Sequence, residues 1–330
     1  MDRLWRRVGQ GLAALAVLLA LAFAFGPREP LDLAPGFDAA TPGDDLDAWL
    51  AASEAAAGAV PPAMQKRIYW AGPKGARTAW AVVYLHGFSA SSEEIRPVPD
   101  LVAQGLGANL YYTRLAGHGL GPAAMAGPTA HDWMNDVAEA LAIGRRLGER
   151  VLVIATSTGG TLAAEAALQP DLAQDMDAIV FVSPNFGLNS PFAGVPTWPF
   201  ARRWLPLILG RQRCLDPLNE LHARFWTLCY PTEAILPMAA LTADAAAADY
   251  RGVTLPALFL FSRRDRVVAP EATEVVAARW GGAATVEAVT LAPSDDPWSH
   301  IIAGDILSPS RTRATADRIL GWVAGLPAAR

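Results

Sequence analysis

The pattern along this chain begins with one long apolar run and then settles into short ones. Residues 8–25 are apolar with Gln10 as the polar interruption, and Gly26-Pro27-Arg28-Glu29-Pro30 ends the run. As a helix, about 18 residues is just enough to cross the hydrocarbon core of a bilayer. Further on, short runs at 81–85, 109–113, 151–156, 178–183, 256–262 and 284–291, mainly apolar, predict strands, and Lys66-Arg67-Ile68-Tyr69-Trp70 before the turn at 72–75 predicts one more. Between them, helical segments are expected near 93–106, 130–147, 158–169, 270–280 and 310–325. Strands alternating with helices predict an α/β fold: a mostly parallel sheet covered on both faces. Thr129 with Asp132 three residues later is a helix-start signature.

The rest of the pattern divides the chain. Arg3, Arg6 and Arg7 precede the long apolar run, so residues 1–30 read as a targeting segment. Kept, it is a single-pass anchor in the cell membrane, with the arginines on the cytoplasmic side and the rest on the extracytoplasmic, periplasmic side. Ala22-Phe23-Ala24 offers a cleavage site, and cleavage would leave the protein secreted or periplasmic. Residues 31–62, rich in Ala, Pro, Gly and Asp, read as a tether with a short helix at 44–54, and Phe37 and Trp49 are its candidate contacts to the body. Residues 63–183 and 255–330 form the body, and 184–254 is an insertion within it. Composition changes little here: 52% hydrophobic residues supply a core, and a net charge of −5 gives no bulk basic surface for nucleic acid.

Candidate chemistry centres on Ser157 in Val151-Leu152-Val153-Ile154-Ala155-Thr156-Ser157-Thr158-Gly159-Gly160, a strand, a tight turn and a helix start. A serine at such an apex takes a strained backbone, and the residues two before and two after must be small; here they are Ala155 and Gly159. Taken alone, the same turn also suits a helix cap or a phosphate cradle. Asp265 follows the strand at 256–262, where a carboxylate faces the crevice at the strands' carboxyl ends. His300 lies in the polar loop after the last strand. Ser157, Asp265, His300 is the chain order of an α/β-hydrolase triad and not that of other serine hydrolase folds.

Ala81-Val82-Val83-Tyr84-Leu85-His86-Gly87-Phe88-Ser89 runs a strand into His-Gly-Phe, and Arg114-Leu115-Ala116-Gly117-His118-Gly119 adds a Gly-His-Gly turn. With these the chain resembles the α/β-hydrolase superfamily, and more loosely its carboxylesterase and monoacylglycerol lipase group, over residues 65–325. The resemblance implies a serine hydrolase cleaving carboxylic esters through an acyl-enzyme, with an oxyanion hole from the N–H groups of Phe88 and Thr158. It implies that the insertion is a cap over the site. Aromatic and aliphatic residues crowd that insertion, Phe186 and Trp198 among them, and with His118 they are the candidate pocket lining for an apolar, lipid-like acyl group. Cap packing is the competing reading for each of them. His86 is expected to bond locally and hold the oxyanion loop.

An acyltransferase or an amidase or peptidase would use the same triad, and a non-catalytic binding protein on this fold is the alternative of a different class. No cofactor is called for, and the chain has no His-Glu-x-x-His stretch for zinc. Cys214 and Cys229, both in the insertion, are expected to pair as a disulfide if the domain is extracytoplasmic.

Overall fold

The computed structural model describes residues 2–327. The long apolar run is helix α1 (Asp2–Phe25), whose apolar stretch Trp5–Phe25 is long enough to cross a membrane and is not buried against the body. A signal sequence passes the same test of length and composition. The chain from Leu31 onward then packs on the body: Leu31, Leu33, Phe37 and Trp49 are partly buried against the core, and Leu46 and Leu50 of α2 (Leu46–Ala57) are inside it. Asp45 caps α2 by accepting from Ala48 N–H at 3.1 Å. Glu54 of α2 forms a buried pair with Arg114 at 3.0 Å. These residues form part of the fold.

Seven strands make the main sheet. In chain order they are β1 (Arg67–Tyr69), β2 (Thr78–Leu85), β3 (Asn109–Tyr112), β4 (Gly148–Thr156), β5 (Ala178–Val182), and, beyond a small hairpin of β6 (Gln212–Cys214) and β7 (Cys229–Pro231), β8 (Ala257–Phe261) and β9 (Ala284–Ala288). Their order across the sheet is β1-β3-β2-β4-β5-β8-β9, all parallel except the edge strand β1. The helices alternate with them: α3 (Val98–Leu106), α4 (Ala130–Leu147), α5 (Thr158–Ala167), α6 (Pro170–Ala173), α7 (Ala201–Leu209), α8 (Glu220–Phe225), α9 (Ile235–Ala247), α10 (Pro270–Arg279) and α11 (Thr312–Ala324).

The strand period of two sorts the core into two halves. Val83, Leu85, Val153, Ala155, Phe181 and Phe259 face α4, α5, α9 and α10, whereas Val82, Tyr84, Ile154, Val180 and Leu260 face α3 and α11. Strands buried on both faces have no polar alternation, which is why they read as continuous apolar runs. The capping box at Thr129 is present: its hydroxyl accepts from Asp132 N–H, and Asp132 Oδ2 accepts from Thr129 N–H at 2.8 Å.

Two expectations shift. The helix expected over 93–106 begins at Val98: Pro97 disfavours helical backbone before it, Pro99 lacks the N–H a helix interior needs and so fits only in a first turn, and 92–97 turns instead. The expected insertion, 184–254, divides. Its last helix, α9, puts Met238, Leu241 and Ala245 into the core beside α5 and belongs to the helical layer of the body. The part standing off the sheet ends near the β6–β7 hairpin, where Cys214 and Cys229 face each other across the strands and are joined by a disulfide with Cα atoms 4.1 Å apart.

Candidate active site

Four loops at the carboxyl ends of β2, β4, β8 and β9 converge on one place. Ser157 sits between β4 and α5 with φ 51° and ψ −118°, a conformation that side chains other than glycine rarely adopt. Its N–H donates to Val182 O at 3.0 Å and its carbonyl accepts from Asn185 N–H at 3.0 Å, so β5 braces the turn. A Cβ on Gly159 would lie 2.3 Å from Leu85 O, and the elbow therefore cannot close with any larger residue there.

Ser157 Oγ is 3.1 Å from His300 Nε2, and His300 Nδ1 is 2.8 Å from Asp265 Oδ2. All three side chains are buried. The other oxygen of Asp265 accepts from the N–H groups of Val267 and Val268 at 2.8 and 2.9 Å, which fixes the carboxylate and leaves Oδ2 to His300. Nδ1–H then donates to the carboxylate and the Nε2 lone pair faces the serine. The loop carrying His300 is ordered by Asp296, whose Oδ2 accepts from the N–H groups of His300 and Ile301 at 2.9 and 2.8 Å. Burial pulls the imidazole's proton affinity down, but the charge and hydrogen bond of Asp265, with Glu94 and Asp296 behind, outweigh it and hold the His300 pKa above 6.5.

The His-Gly-Phe loop is held from three sides. Gly87 N–H donates to Glu94 Oε2 at 2.8 Å, and Ser89 N–H donates to His118 Nε2 at 3.0 Å. Between them, Phe88 N–H has no acceptor among the described residues, nor has Thr158 N–H at the start of α5. A Cβ on Gly87 would meet Glu94 Oε1 at 2.6 Å and Ser157 Cβ at 3.0 Å, which measures how closely this loop approaches the serine. Glu94 is itself buried, with the Tyr84 hydroxyl 3.0 Å from Oε2, and burial raises its pKa to about 7.

His86 and His118 both serve the loop as neutral rings. His86 Nε2 accepts from Leu115 N–H at 3.1 Å and its Nδ1 donates to Gly87 O at 2.8 Å. His118, accepting at Nε2, donates from Nδ1 to Ala116 O at 3.1 Å. Burial lowers the pKa of both, that of His118 to about 4. His118 thus stands behind the His-Gly-Phe loop with both nitrogens engaged, and it touches Phe88 and Trp133 edge to face.

The remaining candidate lining residues lie elsewhere. Phe186 is 1% exposed, packed between Phe181 and Tyr250 in the core. Trp198 is half-exposed and packs edge to face on Phe23 of α1, with ring centres 5.7 Å apart. The residue that does cover the loop is Tyr230 of β7, 5.1 Å from the Phe88 ring, and Thr227 N–H donates to Ser89 O at 2.7 Å beside it. Sequence reasoning missed Glu94 as a member of this assembly, because as one of two adjacent acids it reads as solvated surface. Asp295 and Asp296, close to His300 in sequence, are on that reasoning minor alternatives to Asp265 for the ring; Asp296 instead bonds the backbone of the His300 loop.

A family model described as the alpha/beta hydrolase family matches residues 82–316. No curated protein matches the chain. Among solved structures, one described under "LipS and LipT, two metagenome-derived lipolytic enzymes" aligns over 81% of this chain and 100% of its own, with TM-score 0.65 and 22% identity. A soluble variant of monoglyceride lipase from Saccharomyces cerevisiae aligns over 81% of this chain and 92% of its own, with TM-score 0.60 and 13% identity. The monoacylglycerol lipase of Paleococcus ferrophilus covers 78% of this chain and 97% of its own, with TM-score 0.55 and 17% identity. At these identities the likeness is one of fold.

Proposed function

Since the chain belongs to the alpha/beta hydrolase family, we propose that it is a serine hydrolase that cleaves carboxylic esters through an acyl-enzyme. One observation carries the reading: the continuous chain from Ser157 Oγ to His300 Nε2 at 3.1 Å and from His300 Nδ1 to Asp265 Oδ2 at 2.8 Å, at the mouth of a strained turn.

In this mechanism His300 takes the hydroxyl proton as Ser157 Oγ attacks the ester carbonyl. Asp265 holds the ring in the needed tautomer and stabilises the imidazolium. The carbonyl oxygen, now negative, is received by the N–H groups of Phe88 and Thr158; losing one such donor typically costs on the order of 100-fold in turnover. The imidazolium returns its proton to the departing alcohol, leaving Ser157 acylated. Water, deprotonated by the same His300, attacks the acyl carbonyl, and collapse of that intermediate releases the carboxylic acid and the free serine. Apolar acyl groups suit the aromatic cover of Phe88 and Tyr230, and lipases among the structural neighbours favour the same class.

The apolar helix α1 serves, in this reading, as a single-pass membrane anchor with the body on the extracytoplasmic side, the side expected from Arg3, Arg6 and Arg7. The disulfide agrees with an oxidising compartment.

Hydrolysis of p-nitrophenyl esters from acetate to long-chain acyl groups tests the reading. The wild-type chain should release p-nitrophenol, and Ser157→Ala should lower kcat by at least about 10⁴-fold, in the range seen when a triad member is removed. Equal rates for both would refute the assignment.

A further inference from the structure

The clearest unpartnered surface lies on the segment between β5 and the β6–β7 hairpin. At the end of α7 Leu207, Ile208 and Leu209 are 80%, 71% and 41% exposed, and earlier in the segment Phe192 is 72% exposed. Single exposed apolar residues are ordinary, but three in succession at a helix end mark an interaction surface.

Charge distinguishes the segment further. From residue 178 to residue 215 the chain has no Asp or Glu, while it carries Arg202, Arg203, Arg211 and Arg213, in a protein whose net charge is −5. Arg202 is taken by Glu29 at 3.1 Å. Arg203, Arg211 and Arg213 are exposed and form no ion pair among the described residues. A helix end with exposed leucine and isoleucine, flanked by free arginines, has the chemistry that binds an anionic bilayer surface.

The position of α1 supplies the occupant. Its last turn and the residues after it meet this segment directly: Phe23 packs on Trp198, and Phe200 N–H donates to Pro27 O at 2.7 Å. Gly26 is pressed so close to Pro199 and Phe200 that a Cβ there would lie within 2.8 Å of both. If α1 spans the bilayer, its apolar stretch ends at the membrane surface where residues 198–200 stand. Leu207–Leu209 follow within about 14 Å of Phe200 at a helical rise of 1.5 Å per residue, inside the reach of that same surface.

We propose that residues 192–213 dock on the anionic phospholipid surface beside the anchor, seating the Leu207, Ile208 and Leu209 side chains at the headgroup and acyl boundary with Arg203, Arg211 and Arg213 on the lipid phosphates. This deepens the reading of the chain as an anchored hydrolase and rests on its anchor. The bilayer contact belongs to the same excursion from the sheet as Tyr230, which covers the oxyanion loop.

The test uses the full chain in phospholipid vesicles with the natural disulfide left oxidised. Ile208→Cys carries an environment-sensitive fluorophore, and Glu149→Cys, at the opposite end of β4 from Ser157, carries the same probe as a reference. In vesicles of phosphatidylcholine with phosphatidylglycerol, the label at 208 should be blue-shifted, quenched by spin-labelled lipid and shielded from aqueous iodide, and the label at 149 should be none of these. Replacing Arg203, Arg211 and Arg213 by Glu together should return position 208 to water.

A label at 208 as open to iodide as that at 149 overturns the docking. So does equal burial in pure phosphatidylcholine, which removes the anionic requirement, and so does shielding without quenching by lipid, which would mean a protein cover. Extraction at alkaline pH reads the anchor separately. A chain that resists extraction while 208 stays wet fails the docking alone. A chain that washes off while 208 still senses lipid fails the anchor alone, and failure of both overturns both.

Discussion

His300 sits among three carboxylates with different duties. Asp265 bonds its ring, Asp296 bonds its backbone N–H, and Glu94 acts through charge from beneath the Gly87 loop. As the proposed base, His300 must be neutral, and its pKa is raised above 6.5, so kcat/KM should climb with pH through a limb centred above that value and level off once the ring is deprotonated. Glu94, with a pKa of about 7, ionises in the same range and adds its charge to the field on the imidazole. Glu94→Gln keeps an acceptor for Gly87 N–H but removes the charge. Its pH–rate limb should move to lower pH, with the plateau rate within a few fold of wild type. An unmoved limb would show that Glu94 only packs. At this scale the candidate group Ser157, Asp265 and His300 was legible, because each follows a recognisable strand and the chain order is informative. The burial of Glu94 was not, because it is decided by distant segments that fold over it, and the backbone role of Asp296 depends on the shape of its loop.

Among the elements, α2 ties regions far apart in sequence. Glu54 is 3% exposed and receives Arg114 at both oxygens; Arg114 also donates to His118 O at 3.2 Å, in the turn that supports the His-Gly-Phe loop. Removing one partner of a buried pair leaves an uncompensated charge, so Glu54→Ala should lower stability by about 3–5 kcal/mol in urea unfolding. A change under about 0.5 kcal/mol would mean that α2 is merely appended. The sequence predicted a helix here and contacts through Phe37 and Trp49, both of which pack on the core. It did not predict the ion pair, since Glu54 lies in an alanine-rich helix and pairs with a residue 60 positions away. The late start of α3 has a local cause, two prolines that outweigh an otherwise helical pattern. The reach of α9 into the core was hidden because its apolar residues look alike in a cap and in a body helix.

Across the whole molecule, apolar period and strand order were enough to predict an α/β sheet covered on both faces, and the sheet found has seven strands with one antiparallel edge. Long-range placement was harder to read. Nothing in the local pattern shows that Trp198 meets the end of α1 or that Tyr230 covers Phe88, because both contacts join segments whose approach depends on the loops between them. The account as a whole turns on Ser157 being an activated nucleophile. The most direct measurement is the intact mass of the chain after treatment with a fluorophosphonate, followed by peptide mapping. A single adduct on Ser157, absent from Ser157→Ala and strongly slowed in His300→Ala, is the result expected of a serine activated by the 3.1 Å contact to His300. No adduct on the folded wild-type chain, or one on another residue that persists in Ser157→Ala, would contradict it.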